Sequence, residues 1–142
     1  MALPFTITSP AITDSRRPRL AIPLGDPAGI GSEVVLKALG SIAWADQAEI
    51  VLFGTAALLE QTLNALTNHR ESPCLPDLED LTLQEVTPPR PMQDFTLGQE
   101  SAATGAASFA YLQTAIEQTV GGLFDAIVTA PISKEAWSLA GR

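Results

Sequence analysis

Short apolar runs alternate with stretches of helical spacing along most of this chain. Leu20-Ala21-Ile22-Pro23-Leu24 predicts a buried strand that leads into a glycine-rich turn. Ser32-Glu33 then opens a helix with Val34, Val35, Leu36, Ala38 and Leu39 on its apolar side, and Gly40 suits its stop. Glu49-Ile50-Val51-Leu52-Phe53-Gly54 predicts a second buried strand, followed by a helix over residues 56–66. Polar residues, prolines and acidic residues dominate between Thr67 and Asp80. After them Leu81-Thr82-Leu83-Gln84-Glu85-Val86 alternates until Pro88-Pro89-Arg90-Pro91 stops it, which predicts an edge strand. Residues 101–120 carry the longest helical pattern, closed by Gly121-Gly122. Residues 125–129 predict a buried parallel strand, Ala130-Pro131 its turn, and residues 133–140 a further helix.

Strands alternating with helices predict an α/β fold, three-layered α/β/α, with a mostly parallel sheet and right-handed crossovers. Residues 20–24, 50–53 and 126–129 should be neighbouring parallel strands. Turns 25–31 and 129–134 should then open at one edge of the sheet, where such folds place ligands. Residues 1–18 lack either period and predict a flexible leader, with Arg16, Arg17 and Arg19 as solvated tail charge.

Composition narrows the possibilities. A length of 142 residues allows one core, and eight Lys plus Arg against sixteen Asp plus Glu give a net charge of −8, which disfavours nucleic acid as a partner. No segment is long and apolar enough for a membrane, and Cys74, the single cysteine, has no internal disulfide partner; the expected compartment is cytoplasmic. His69 is the only histidine, so no multi-histidine metal site can be assembled here, and its polar neighbours predict an exposed loop. Asp77, Glu79 and Asp80 read as a solvated charge run, and Trp44 and Trp137 as isolated packing residues.

Two segments could carry chemistry. In Gly25-Asp26-Pro27-Ala28-Gly29-Ile30-Gly31 the glycines let backbone N–H groups approach a ligand, and such a turn can hold an anion at a helix N-terminus. Their spacing matches neither a dinucleotide fingerprint nor a phosphate loop, and a plain tight turn explains them equally well. In Thr129-Ala130-Pro131-Ile132-Ser133-Lys134, Ser133 suits a helix N-cap, while Lys134 is either a ligand-facing cation or an ordinary surface lysine.

The run Gly25 to Glu33 continuing into Val34-Val35-Leu36-Lys37-Ala38-Leu39 resembles the opening signature of the 4-hydroxythreonine-4-phosphate dehydrogenase family of pyridoxal phosphate biosynthesis. Gly105-Ala106-Ala107-Ser108-Phe109-Ala110-Tyr111-Leu112 and residues 125–134 resemble later family blocks in the same order. Ser32 stands where the family usually has Pro, and Ser133 where it usually has Asn or His. The resemblance implies an isocitrate and isopropylmalate dehydrogenase-like fold, incomplete here, with residues 19–142 as the N-terminal α/β portion of a longer two-domain enzyme. It implies NAD as cofactor, a divalent metal (Zn, Mg or Co), a phosphorylated small-molecule substrate and a homodimer. The likeness of Gly25 to Glu33 to the related Gly-Asp-Gly-Ile-Gly-Pro-Glu turn makes Asp26, Gly29 and Gly31 cofactor-side residues. Thr129, Ser133 and Lys134 are the expected substrate-cleft residues. The family's metal-binding histidines and phosphate-binding residues would lie beyond Arg142, so no catalytic residue and no metal ligand is expected in this chain. Alternative readings are a non-catalytic α/β binding or assembly module, and a phosphate acyltransferase-like relative of the same fold.

Overall fold

The computed structural model describes residues 16–68, 74–91 and 95–142. Four strands, β1 (Arg19–Pro23), β2 (Glu49–Gly54), β3 (Thr82–Glu85) and β4 (Ala126–Ile127), form one sheet in the order β3-β2-β1-β4. Every neighbouring pair is parallel, with Leu20 opposite both Ile50 and Ala126. Four helices connect or follow them: α1 (Gly31–Ser41), α2 (Ala56–Thr67), α3 (Ala102–Val120) and α4 (Lys134–Leu139).

This strand order fixes the layers. The crossovers β1-α1-β2 and β2-α2-β3 step in one direction, so right-handedness places α1 and α2 together on one face. The crossover β3-α3-β4 returns past β2 and β1, which puts α3 on the opposite face, where it packs against β1, β2 and β4. The sheet is thus covered on both sides, as its near-continuous apolar strands require. Its core is formed by Ala21, Leu24, Leu52 and Phe53 from the β1 and β2 segments, Leu36 from α1, Leu58 and Leu59 from α2, and Ala107, Tyr111 and Ala115 from α3. Phe53 meets Phe124 edge to face at 5.5 Å between ring centroids.

The predicted strands 20–24, 50–53 and 126–129 are neighbours and parallel, and the 81–86 strand is an edge strand. Three expectations need correction. The 125–129 strand is not buried: regular pairing is confined to Ala126–Ile127, and Val128 is 49% exposed. The chain still runs beside β1, since the N–H groups of Asp125, Val128 and Ala130 donate to the carbonyls of Arg19, Ala21 and Pro23. It has a strand neighbour on one side only, and that leaves its outer edge open. Secondly, α1 continues through Gly40 to Ser41, and the chain becomes extended at Ile42. Thirdly, exposed Arg16 and Arg17 and half-buried Arg19 are not idle. Arg16 makes a two-pronged ion pair with Asp125 at 2.6 and 2.9 Å, Arg17 donates to the Ala45 carbonyl, and Arg19 lies 3.3 Å from Glu49. These contacts hold the entry to β1, and the Arg16 guanidinium together with the Arg19 N–H keeps the Asp125 carboxyl below its ordinary pKa. The preceding leader residues 1–15 and His69 lie outside the described residues. Trp44 and Trp137 do act as packing residues, their indole N–H groups donating to the Leu39 carbonyl and the Ser108 hydroxyl.

Tyr111, the chain's single tyrosine, is fully buried, and desolvation pushes its phenol up to about 12, a hydrogen bond to Thr55 only partly opposing this. A raised folded-state pKa means that stability is intact below pH 10 and is lost as the pH climbs toward 12, because the unfolded phenol ionises first. The expected loss from this group is about 1 kcal/mol at pH 11. Tyrosinate absorbance, which reports Tyr111 alone, should rise with the unfolding transition; a free titration near pH 10 in the folded chain would refute the buried placement.

Candidate active-site cleft

The order β3-β2-β1-β4 makes β1 and β4 the pair at which the connections diverge, β1 leading to one face of the sheet and β4 being reached from the other. Loops leaving such a pair separate above the carboxyl ends of the strands and leave a crevice. The crevice is present here as an open cleft of about 270 Å³, bounded by residues from both turns and by the segment that enters α3.

On the β1 side, Gly25 takes the left-handed conformation (φ +76°) and turns the chain out of the sheet. Asp26 organises the turn. Its N–H donates to the Pro131 carbonyl at 3.1 Å, its Oδ1 accepts from the Ala28 N–H at 2.9 Å, and its carbonyl accepts from the Gly29 N–H at 2.9 Å. The side chain is 3% exposed, and its second oxygen, Oδ2, is buried without a hydrogen-bond partner. Gly29 is exposed at the cleft mouth, and Gly31 starts α1, buried beneath the Leu24 and Pro131 carbonyls. Ile30, the N-cap, offers no side-chain cap to the helix. Ser32 accommodates its departure from the family pattern inside α1, where its hydroxyl meets that of Thr62 at 2.9 Å.

On the β4 side, Pro131, Ile132 and Ser133 line the cleft. Ser133 is the N-cap of α4, accepting from the Ala136 N–H at 3.0 Å, and its hydroxyl donates to Glu100 Oε1 at 2.5 Å. Thr129 and Lys134 are exposed and are not among the lining residues. The structure therefore brings Asp26, Gly29 and Ser133 into one cleft, and Gly31 to the root of its β1 wall, but sets Thr129 and Lys134 aside.

Sequence reasoning missed the third wall. The Gly98 N–H donates to the Ala28 carbonyl at 2.7 Å, and Gly98 and Glu100 both line the cleft. The available signal was the pair Gly98 and Ser101, a turn glycine (φ +78°) just ahead of the capping box of α3. Among the described residues no Lys or Arg contributes to the lining, and the charged groups there are the carboxylates of Asp26 and Glu100. Among the described residues no three His, Cys, Asp or Glu side chains converge as a metal site would require. No helix of the described residues is long and apolar enough to cross a membrane.

Comparison with known proteins agrees with this architecture. The family model of the pyridoxal phosphate biosynthetic protein PdxA matches residues 46–142. A 4-hydroxythreonine-4-phosphate dehydrogenase from Synechocystis sp. is 48% identical over 125 residues, 88% of this chain and 36% of that protein. A D-threonate 4-phosphate dehydrogenase from Bordetella bronchiseptica is 34% identical over 92% of this chain and 39% of its own length. The crystal structure of a 4-hydroxythreonine-4-phosphate dehydrogenase from Burkholderia phymatum superposes with a TM-score of 0.72 at 29% identity, covering 89% of this chain and 40% of that one. The chain thus spans somewhat more than a third of the length of these relatives. With the family model matched over most of the chain and the same parallel α/β architecture in a solved relative, this chain belongs to the PdxA family.

Proposed function

We propose that this chain supplies the cofactor-side wall of an NAD-dependent, divalent-metal-dependent dehydrogenase that oxidises and decarboxylates 4-hydroxy-L-threonine phosphate for pyridoxal phosphate biosynthesis, acting as a cytoplasmic homodimer. The observation that carries this reading is the meeting of turns 25–31 and 131–133 in one cleft at the carboxyl ends of β1 and β4. The residues present fit one end of the cofactor. Ala28, Ile30, Pro131 and Ile132 give apolar walls, exposed Gly29 permits close approach of backbone, and the unpartnered Asp26 Oδ2 offers an acceptor. When bound, the nicotinamide ring accepts the hydride that leaves the substrate alcohol.

The metal is a different matter. The described residues do not form a site for it, and His69 is the sole histidine. In this reading the described residues bind and orient, and metal and proton chemistry draw on groups outside them. Calorimetry of the 142-residue chain with NAD, zinc and magnesium should give weak NAD binding and no tight divalent binding. An NADH absorbance assay with 4-hydroxythreonine phosphate and, in parallel, D-threonate 4-phosphate should give no turnover by the chain alone. Turnover of either substrate would show that the chemistry resides in these residues after all, and a complete lack of NAD binding would remove the cofactor-wall reading.

A further inference from the structure

The far edge of the sheet, beside β3, holds a second cavity that the cleft does not use. It is partly open, about 200 Å³ in volume, and is walled by Ala56, Leu59 and Glu60 of α2 and by Leu78, Leu81 and Leu83. Strand alternation turns Leu81 and Leu83 toward α2, while Thr82 and Gln84 stay exposed on the other face. Glu85 Oε2 accepts the Ala56 N–H at 2.9 Å and so fixes the start of α2 beside the end of β3, but the methyl of Ala56 does not fill the space between them. Leu78, from the short helical turn over residues 78–80, borders the cavity and is 43% exposed. Among the described residues β3 has one strand neighbour, β2. The Val86 N–H donates inward to the Gly54 carbonyl, so alternation directs the backbone groups of Leu83 and Glu85 to the open side. Charge is concentrated here as well. Residues 38–89 hold eight of the sixteen Asp and Glu but one, Arg70, of the eight Lys and Arg. Glu60, Glu79, Asp80 and Glu85 are all exposed.

We propose that this edge docks an extended basic segment of a partner protein, which adds as a strand beside β3, inserts one apolar side chain into the cavity and sets Lys or Arg against Glu60, Glu79 and Asp80. The free backbone groups of the edge supply the hydrogen bonds of an added strand, and the cavity supplies the choice of side chain. A cavity of about 150 Å³ holds a benzene ring, so the space here suits one leucine or phenylalanine. The carboxylates then decide between partners. Edge-to-edge pairing with a second copy would set this acidic rim against itself, in a chain of net charge −8. A neutral strand would leave the rim unmatched, whereas a basic one meets complementary charge and is steered to it. The cleft lies over β1 and β4, at the other side of the sheet, so the proposal stands apart from the dehydrogenase reading.

The probe is a capped heptapeptide with Phe at its centre, Val on either side and two Lys at each end. In an amide NMR titration of the full chain it should move the N–H signals of Leu81, Leu83 and Glu85 and leave those of Gly29 and Gly98 in place. Exchanging the peptide's Phe for Ala removes the anchor, and Ala56→Phe occupies its cavity; each should weaken binding about tenfold. Glu79→Lys together with Asp80→Lys should weaken it about threefold and flatten its dependence on salt. Undisturbed indole signals of Trp44 and Trp137 report that Ala56→Phe is folded; if they are lost, the Phe-to-Ala peptide puts the same question to the unaltered chain. Binding that ignores the Phe anchor, or shifts scattered over other acidic surfaces, would overturn the proposal. Phenethylamine binding as tightly as the peptide would overturn it in favour of a small-molecule site. Movement of the same signals on concentrating the chain without peptide would assign the edge to a second copy instead.

Discussion

Gly25→Ala should destabilise the chain by about 3 kcal/mol and abolish ligand binding at the cleft, the sum of a left-handed backbone cost of ~1–2 kcal/mol and an overpacking cost of ~1–3 kcal/mol. The two contributions have separate origins. Gly25 has φ +76°, and a Cβ there would stand 2.1 Å from the Pro131 carbonyl oxygen. Neither strain can relax cheaply, because the Asp26 N–H bond to that same oxygen fixes the spacing of the two turns. Gly98 provides the control. Its φ is +78°, but nothing lies within 4 Å of where its Cβ would be, so Gly98→Ala should cost only the backbone component, ~1–2 kcal/mol. Denaturant unfolding of both variants separates them, and equal losses would show that the approach of the two turns contributes nothing.

Gly105→Ala should lower stability by about 3 kcal/mol or more and disturb the cleft from a distance. Here the backbone conformation is ordinary helix, and the effect is purely one of approach. A Cβ on Gly105 would lie 1.9 Å from the Ala136 carbonyl oxygen and 2.3 Å from its carbon. Backbone cannot yield as a side-chain tip does, so α4 must move away from α3. That movement pulls the Trp137 indole N–H from Ser108, 2.8 Å away, and its ring from Phe109, and it carries the N-cap Ser133 away from Glu100. The indole N–H signal of Trp137 should shift while that of Trp44, bonded to Leu39 within the other layer, stays put. A stable Gly105→Ala chain with an unmoved Trp137 signal would mean that α3 and α4 are not in such close contact.

What could be read from the sequence followed from local periodicity. The runs that became β1 and β2, the helical spacings of α1, α2 and α3, and the turn after Leu24 are each encoded within about twenty residues, and each formed where expected apart from the end of α1, which runs past Gly40. The cleft was legible as far as its two βα turns, because an alternating α/β pattern dictates that both open at one edge of the sheet. Gly98 and Glu100 were not legible, since they reach the cleft through a bond from Gly98 to Ala28, seventy positions away in the chain. The same holds for Arg16 and Asp125, whose pairing depends on β4 lying beside β1. Residues 125–129 looked buried because Ala, Ile, Val and Thr describe a strand but not the number of its neighbours. Lys134 and Thr129 follow from the same limit: a residue can be placed at the carboxyl end of a strand without the pattern showing whether it faces the crevice.

The pairing of Leu20 with Ala126 has a kinetic consequence. The β1-β2 and β2-β3 pairs each close a loop of about thirty residues, whereas β1-β4 joins segments more than a hundred residues apart through only a short register. Closure entropy grows with separation, and contacts of long sequence range form late. The three-stranded unit with α1 and α2 should therefore assemble first, with α3 laid across its other face before β4 docks. Since the cleft exists only when turn 131–133 has reached turn 25–31, it is completed after the rest of this four-stranded sheet. During synthesis, Asp26 would wait through the emergence of a hundred further residues before acquiring the carbonyl of Pro131 that holds its turn in place.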